Sequence, residues 1–192
     1  MRILLLFTFL LSVCAASAAD KTFPEPDVAF FTKLRMDYAK QPNFDPMWKL
    51  DEARKAIMEA GNAKDYAKVI ELSKSWLAKC PVDADVHYVL SQALTVQGDI
   101  GHYAQHLYYF YGLIQSVAAS GDGKSPKTAF KVISVAEEYY LLRDFGAELV
   151  SQALQNNCDV MRCKLSNGKE VTYYFDASIA LAAEEKQLTP KK

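Results

Sequence analysis

Two turn signals stand one period apart in the first half of the chain. Lys64-Asp65-Tyr66 closes one helical segment and opens another, and Gly98-Asp99-Ile100 does the same 34 positions later. The segment starts, Leu50 and Ala84, share that 34-residue spacing. A fixed offset of this length leaves few folds open. Each unit must be a helix, a tight turn and a second helix, and units must stack to bury their apolar sides. Small or apolar residues fall where paired helices would cross: Ala53, Ala56 and Ala60 in the first unit, Leu90, Ala93 and Leu94 in the second. Pro81 follows Trp76 and Leu77 and ends the first unit, because proline cannot continue a helix. Asp83 then stands where a side chain can cap the next one.

On these residues the stretch from Leu50 onward resembles a pair of tetratricopeptide repeats, although Ala53 and His87 replace the large aromatic expected early in each first helix. The resemblance implies a concave surface that captures a protein or peptide. Its groove-facing positions would be Asp51, Arg54 and Met58 in one repeat and Asp85, Tyr88 and Gln92 in the next. Two repeats are fewer than the three usually needed for stability, so flanking segments must cap them. The helical pattern from Val28 to Ala39 suits that role, after which Gln41-Pro42-Asn43-Phe44-Asp45-Pro46 reads as a turn-rich linker.

The helix from His102 to Val117 follows. Ile100, Tyr103, Leu107, Phe110, Ile114 and Val117 recur at steps of three and four and make one apolar stripe. Tyr108, Tyr109 and Tyr111 lie off it, which implies cover on a second side. Ser120-Gly121-Asp122-Gly123-Lys124-Ser125-Pro126 then breaks the pattern. Phe130 to Val135 is β-branched and strand-like, Ala136 to Phe145 suits a short helix stopped by Gly146, and Glu148 to Gln155 fits either helix or strand. Val160–Leu165 and Glu170–Phe175 flank Asn167-Gly168, a strong hairpin signal. A two-residue loop there would pair Leu165 with Glu170 and Cys163 with Thr172. Met161, Cys163, Leu165 and Tyr174 would share one face, and Val160, Val171, Tyr173 and Phe175 the other. The expected architecture is α+β: a helical region over 20–118, a small α/β region with an antiparallel hairpin over 119–178, and a C-terminal helix and tail over 179–192.

The N-terminus carries Arg2, an apolar run from Ile3 to Val13, and small residues from Cys14 to Ala19. This is the pattern of a secretory signal over 1–19, cut after Ala18 or Ala19. The run is too short to span a bilayer. Export to the periplasm or medium follows, with lipid anchoring through Cys14 as the lesser alternative. Without Arg2 the chain holds 21 basic and 23 acidic residues, too balanced for a nucleic-acid surface. Cys80, Cys158 and Cys163 remain, so at most one bridge can form within the chain, and the pairing stays open. No cofactor is implied. Gly123-Lys124-Ser125 ends like a phosphate loop, but Ala118 stands at the first glycine and Pro126 blocks the helix that should follow. His102 and His106 share a helix face and could hold a metal with Glu137 or Glu138 as third ligand or base, the pattern of a metal-assisted hydrolase. Against that, no H-E-x-x-H is present, and Glu137 and Glu138, being adjacent, point in different directions. No catalytic residue emerges from the motifs.

Three segments, Ser120-Gly121-Asp122-Gly123-Lys124, Val135-Ala136-Glu137-Glu138-Tyr139 and Tyr173-Tyr174-Phe175-Asp176, are similar to an exported bacterial family of unknown function. That resemblance would cover most of residues 28–178. It implies the fold and export, and no activity.

Overall fold

The structure is a computed structural model that describes residues 24–188; the segment 1–19, read above as a secretory signal, lies outside them. Helices α1 (Val28–Tyr38), α2 (Glu52–Asn62), α3 (Tyr66–Leu77), α4 (Ala84–Val96) and α5 (Ile100–Ala118) come first. Strand β1 (Phe130–Lys131), helix α6 (Val135–Asp144), strands β2 (Ala147–Gln155), β3 (Cys158–Leu165) and β4 (Glu170–Asp176), and helix α7 (Ser178–Leu188) follow. The fold is α+β.

Each of the first five helices begins on an aspartate. Asp27, Asp51, Asp65, Asp83 and Asp99 accept a backbone N–H of the first turn through their side chains, which satisfies one donor left over at the helix start. The two units keep their period at the turn: α3 starts at Tyr66 and α5 at Ile100, and the residues two before, Lys64 and Gly98, both have positive φ, 58° and 77°. That left-handed step lets each second helix fold back on its first. Ala60, Val69 and Ala93 form a small cluster between α2, α3 and α4. Ala53, expected at a crossing, is exposed instead.

One larger core joins both halves. It runs from Phe31 through Trp48, Ile57, Trp76 and Ile114 to Met161 and Phe175. α1 packs on α5, closest at Gly112, where a Cβ would stand 2.1 Å from the Phe31 ring. The α5 stripe is buried only toward its C-terminal part, at Leu107, Ile114 and Val117, while Ile100 is 58 % exposed. Tyr108 and Tyr109 give the second covered side by packing on Phe31.

The sheet is mixed, in the order β1-β4-β3-β2. β2, β3 and β4 are antiparallel, and β1 adds parallel to β4. The strand expected over Phe130–Val135 pairs only at Phe130 and Lys131. Past them the chain turns in, Val132 and Ile133 enter the core, and the Ile133 N–H donates to Glu137 Oε2 at 2.9 Å.

The expected hairpin register is corrected by one residue. Lys164 faces Glu170, Cys163 faces Val171 and Arg162 faces Thr172. The Leu165 N–H donates to Lys169 O and the Gly168 N–H to Leu165 O, so three residues form the loop, with Gly168 at φ 82°. The two-residue turn lies one strand earlier, at Asn156-Asn157, both at positive φ, 49° and 64°. Since side chains alternate, the one-residue slip exchanges faces. Met161, Cys163 and Phe175 share the buried face, whereas Arg162, Lys164, Glu170 and Thr172 face solvent. The slip turns a sheet that read as apolar on both sides into one with a buried and a wet face.

Candidate functional site

A chain of alternating charges runs between α2, α4 and α6. Asp83, which caps α4, is fully buried and accepts from Arg54 Nε at 2.7 Å, Trp76 Nε1 at 3.0 Å, Tyr140 Oη at 3.1 Å and the Val86 N–H at 3.3 Å. Arg54 continues to Asp85 at 2.8 Å, and Asp85 to Arg143 at 2.8 Å. The network ties α2, α3, α4 and α6 together, and its last members reach solvent: Arg143 has 58 % of its side chain exposed and Asp85 20 %. Charged hydrogen bonds of this kind fix geometry more firmly than neutral ones.

On this base stands Tyr88, 42 % exposed on α4. Its ring lies 5.0 Å from Phe110, which in turn meets Tyr111 at 5.1 Å. Tyr88 forms a wall of two open grooves. One, of about 300 Å³, is lined by Met58, Gly61, Asn62, Tyr66, Val89 and Gln92. The other, of about 400 Å³, is lined by Phe110, Tyr111, Ile114, Tyr140, Arg143 and Asp144. Tyr111 also borders a hollow of about 250 Å³ shared with Pro24, Pro26 and Tyr108. The result is a band of partly exposed rings with an ion pair at its edge. Aromatic rings supply large contact area at small conformational-entropy cost, which is why they concentrate at binding surfaces. A larger open trough, about 980 Å³, lies between residues 39–44 and α7. Its walls carry alanines, amides and two lysines, and Gln187 Nε2 donates to Phe44 O at 3.4 Å.

The six groove positions read from the sequence divide. Met58, Tyr88 and Gln92 line the groove of about 300 Å³. Arg54 is buried and Asp85 half-buried, both inside the charge network. Asp51 is exposed and caps α2 by accepting the Ala53 N–H at 2.7 Å. The Phe110, Tyr111, Tyr140 and Arg143 wall was not legible as a site. Its residues sit on α5 and α6, outside the repeat's first helices, and only the three off-stripe tyrosines of α5 hinted at it.

The metal-assisted reading is corrected. Glu137 is buried and both its oxygens are held by Arg35, Nε to Oε1 at 2.7 Å and Nη2 to Oε2 at 2.6 Å. His102 is exposed and bound to Asp99 at 2.8 Å. Among the described residues no group of three His, Cys, Asp or Glu side chains could hold a metal ion. The contact that forms instead joins His106 to His87, Nδ1 to Nδ1, at 2.9 Å. His87 Nε2 lies 3.1 Å from Pro81 O, so Nε2 must carry the proton and donate. Nδ1 of His87 is then the acceptor, and Nδ1 of His106 the donor. Burial pushes the pKa of His87 down to about 3, and its ring stacks on Tyr109 at 4.8 Å. Cys80, Cys158 and Cys163 are buried free thiols. The Gly123-Lys124-Ser125 segment is a turn whose Gly123 carbonyl accepts from Tyr174 N–H of β4 at 2.9 Å.

Glu138 points away from Glu137. It is fully buried, and the only side chain set against its carboxyl among the described residues is Asp159, whose carboxylate accepts the proton of the neutral acid. Burial, then the charge of nearby Asp159, pushes its pKa up to about 9, so it is held as the neutral acid.

A family model described as a domain of unknown function, DUF4919, matches residues 16–186. The chain belongs to this family. The match spans both the helical half and the sheet, so the DUF4919 domain includes the grooves and the buried charge network. No curated protein and no solved structure matches the chain.

Proposed function

We propose that this DUF4919 chain is an exported, non-enzymatic module that binds a protein or peptide on the Tyr88 face of a tetratricopeptide-like repeat. The observation that carries the reading is Tyr88 itself, a large apolar side chain 42 % exposed between two grooves and backed by a rigid ion network. Large exposed rings over a fixed base mark interaction surfaces more often than chance exposure does. The 34-residue turn period supports the repeat reading. The Arg2 and apolar N-terminus supports export, and among the described residues no helix is long and apolar enough to cross a membrane.

The binding test is an affinity capture from the native host's extract, run with the unmutated chain beside Tyr88→Ala and Tyr111→Ala. Both rings are partly exposed, so truncation should leave the fold intact. A hot-spot aromatic at a binding site costs about 2 kcal/mol or more on truncation, which lowers affinity by roughly 30-fold. The expected result is a partner retained by the unmutated chain and lost by both variants. Equal capture by all three would sink the reading. Arg54 is a poor probe, because substituting it breaks the buried network as well as any contact.

Export has its own test. N-terminal sequencing of the product from cells expressing the full chain should begin at Ala19 or Asp20. A product that retains Met1 in every fraction would remove this part of the proposal.

A further inference from the structure

The sheet ends on two unequal edges: β1 has two residues and β2 nine. Free strand edges are usually guarded by lysine, proline or a bulge, because unpaired N–H and C=O groups recruit other strands. β2 has a register shift between Leu149 and Ser151 and one charge, Glu148, both in its first half. Ser151-Gln152-Ala153-Leu154-Gln155 has neither charge nor proline, is regularly paired with β3, and is exposed throughout.

The turn geometry fixes which backbone groups are free. A two-residue loop at Asn156-Asn157 makes Gln155 and Cys158 the hydrogen-bonded pair that closes it. Bonding alternates along an antiparallel ladder. Ala153/Val160 and Ser151/Arg162 are therefore bonded pairs, whereas Gln152 and Leu154 aim their N–H and C=O groups away from β3. Their side chains lie on the covered side of the sheet, with Leu154 56 % exposed and the Gln152 amide oxygen 3.4 Å from Tyr139 Oη.

We propose that this edge pairs with the same edge of a second copy of the chain, the two β2 strands running antiparallel about a two-fold axis at Ala153. In that register Gln152 of each copy faces Leu154 of the other, and both pairs exchange two backbone hydrogen bonds. All the outward groups of Gln152 and Leu154 are then used. Ala153 meets its own copy across the close non-bonded pair, where Cα atoms stand about 4.5 Å apart and a small side chain is needed. Ser151 faces Gln155, and no charge faces another. A heterologous strand would gain specificity from charge complementarity, and this segment offers none. Its neutrality favours self-pairing, because no like charges meet when the segment faces its own copy and a small residue, Ala153, stands on the axis.

Light scattering on the purified chain over a concentration series tests this. The unmutated chain is expected to pass from monomer to dimer. Ala153→Arg, which sets two guanidinium groups on the axis, should weaken association on the order of 100-fold, with unchanged circular dichroism and with unchanged melting at concentrations where the unmutated chain is monomeric. Ala153→Cys should link into a covalent dimer under mild oxidation, while Glu71→Cys, on the exposed side of α3, should not. An unmutated chain that stays monomeric throughout overturns the proposal, and so does a dimer that survives Ala153→Arg. If Ala153→Arg does not fold, the Ala153→Cys link decides, and its absence overturns the proposal equally.

Discussion

Replacing Arg35 by methionine is expected to destabilise the protein by about 3–5 kcal/mol, the usual result of stripping one partner from a buried ion pair. Arg35 is fully buried on α1 and holds Glu137 of α6 through two short bonds. It also donates to Lys131 O at 2.8 Å and Ser116 Oγ at 3.3 Å. Methionine matches the length of the side chain and none of its donors. Glu137 would then be an uncompensated charge in the core, still accepting only the Ile133 N–H. The loss should be recovered in large part by adding Glu137→Leu, because a volume-matched apolar pair often equals or exceeds a buried ion pair in stability. Urea unfolding of the two single variants and the double variant gives the coupling. A loss below about 1 kcal/mol in Arg35→Met would show that this pair behaves as a surface pair does. It would also show that the Arg35–Glu137 pair is not what ties α1 to α6.

Glu138→Gln is expected to stabilise the protein by up to about 3 kcal/mol at pH 7 and by nothing near pH 4.5. The folded pKa of Glu138 is raised to about 9 from an ordinary 4.5. The folded state therefore keeps a proton that the unfolded state has released. Stability from this group is fully present below pH 4.5 and is lost, at about 1.4 kcal/mol per pH unit, as pH rises toward 9. His87 has the opposite slope. Its folded pKa falls to about 3 from 6.5, so its contribution is fully present above pH 6.5 and is lost as pH falls toward 3. Between pH 4.5 and 6.5 the two slopes cancel. For these two groups the unmutated chain should show a plateau there and decline on both sides. Glu138→Gln should remove the decline on the alkaline side. It should also unmask a rise up to pH 6.5 that belongs to His87. Denaturant unfolding across pH checks both arms. Parallel curves for the two proteins would show that Glu138 ionises normally inside the fold.

The helical half was legible because its signals are local. The Asp65 and Asp99 turns, the Pro81 stop and the Asp83 cap each act within a few residues, and the structure places helix boundaries close to all of them. The hairpin shows where a local signal misleads. Asn167-Gly168 drew the two-residue turn by composition, yet Asn156-Asn157 takes it. Packing decides between the two registers: only the observed one puts Met161, Cys163 and Phe175 together in the core. Of the six groove positions expected from the sequence, three line a groove in the structure. Met58, Tyr88 and Gln92, which the repeat resemblance implied, line one groove between α2 and α4. Arg54 read as exposed because its partner Asp83 lies 29 positions away, and Glu137 read as a ligand candidate because Arg35 lies 102 positions away. Pairing over such separations leaves no mark in periodicity or composition.

The Tyr88 face is tested most directly by placing a photo-crosslinking phenylalanine analogue at Tyr88 and, in a second protein, at Glu71 on the exposed side of α3. Irradiation in the native host is expected to give a discrete covalent adduct from position 88 and none from position 71. No adduct from position 88, or the same adduct from both, would contradict a binding surface centred on Tyr88.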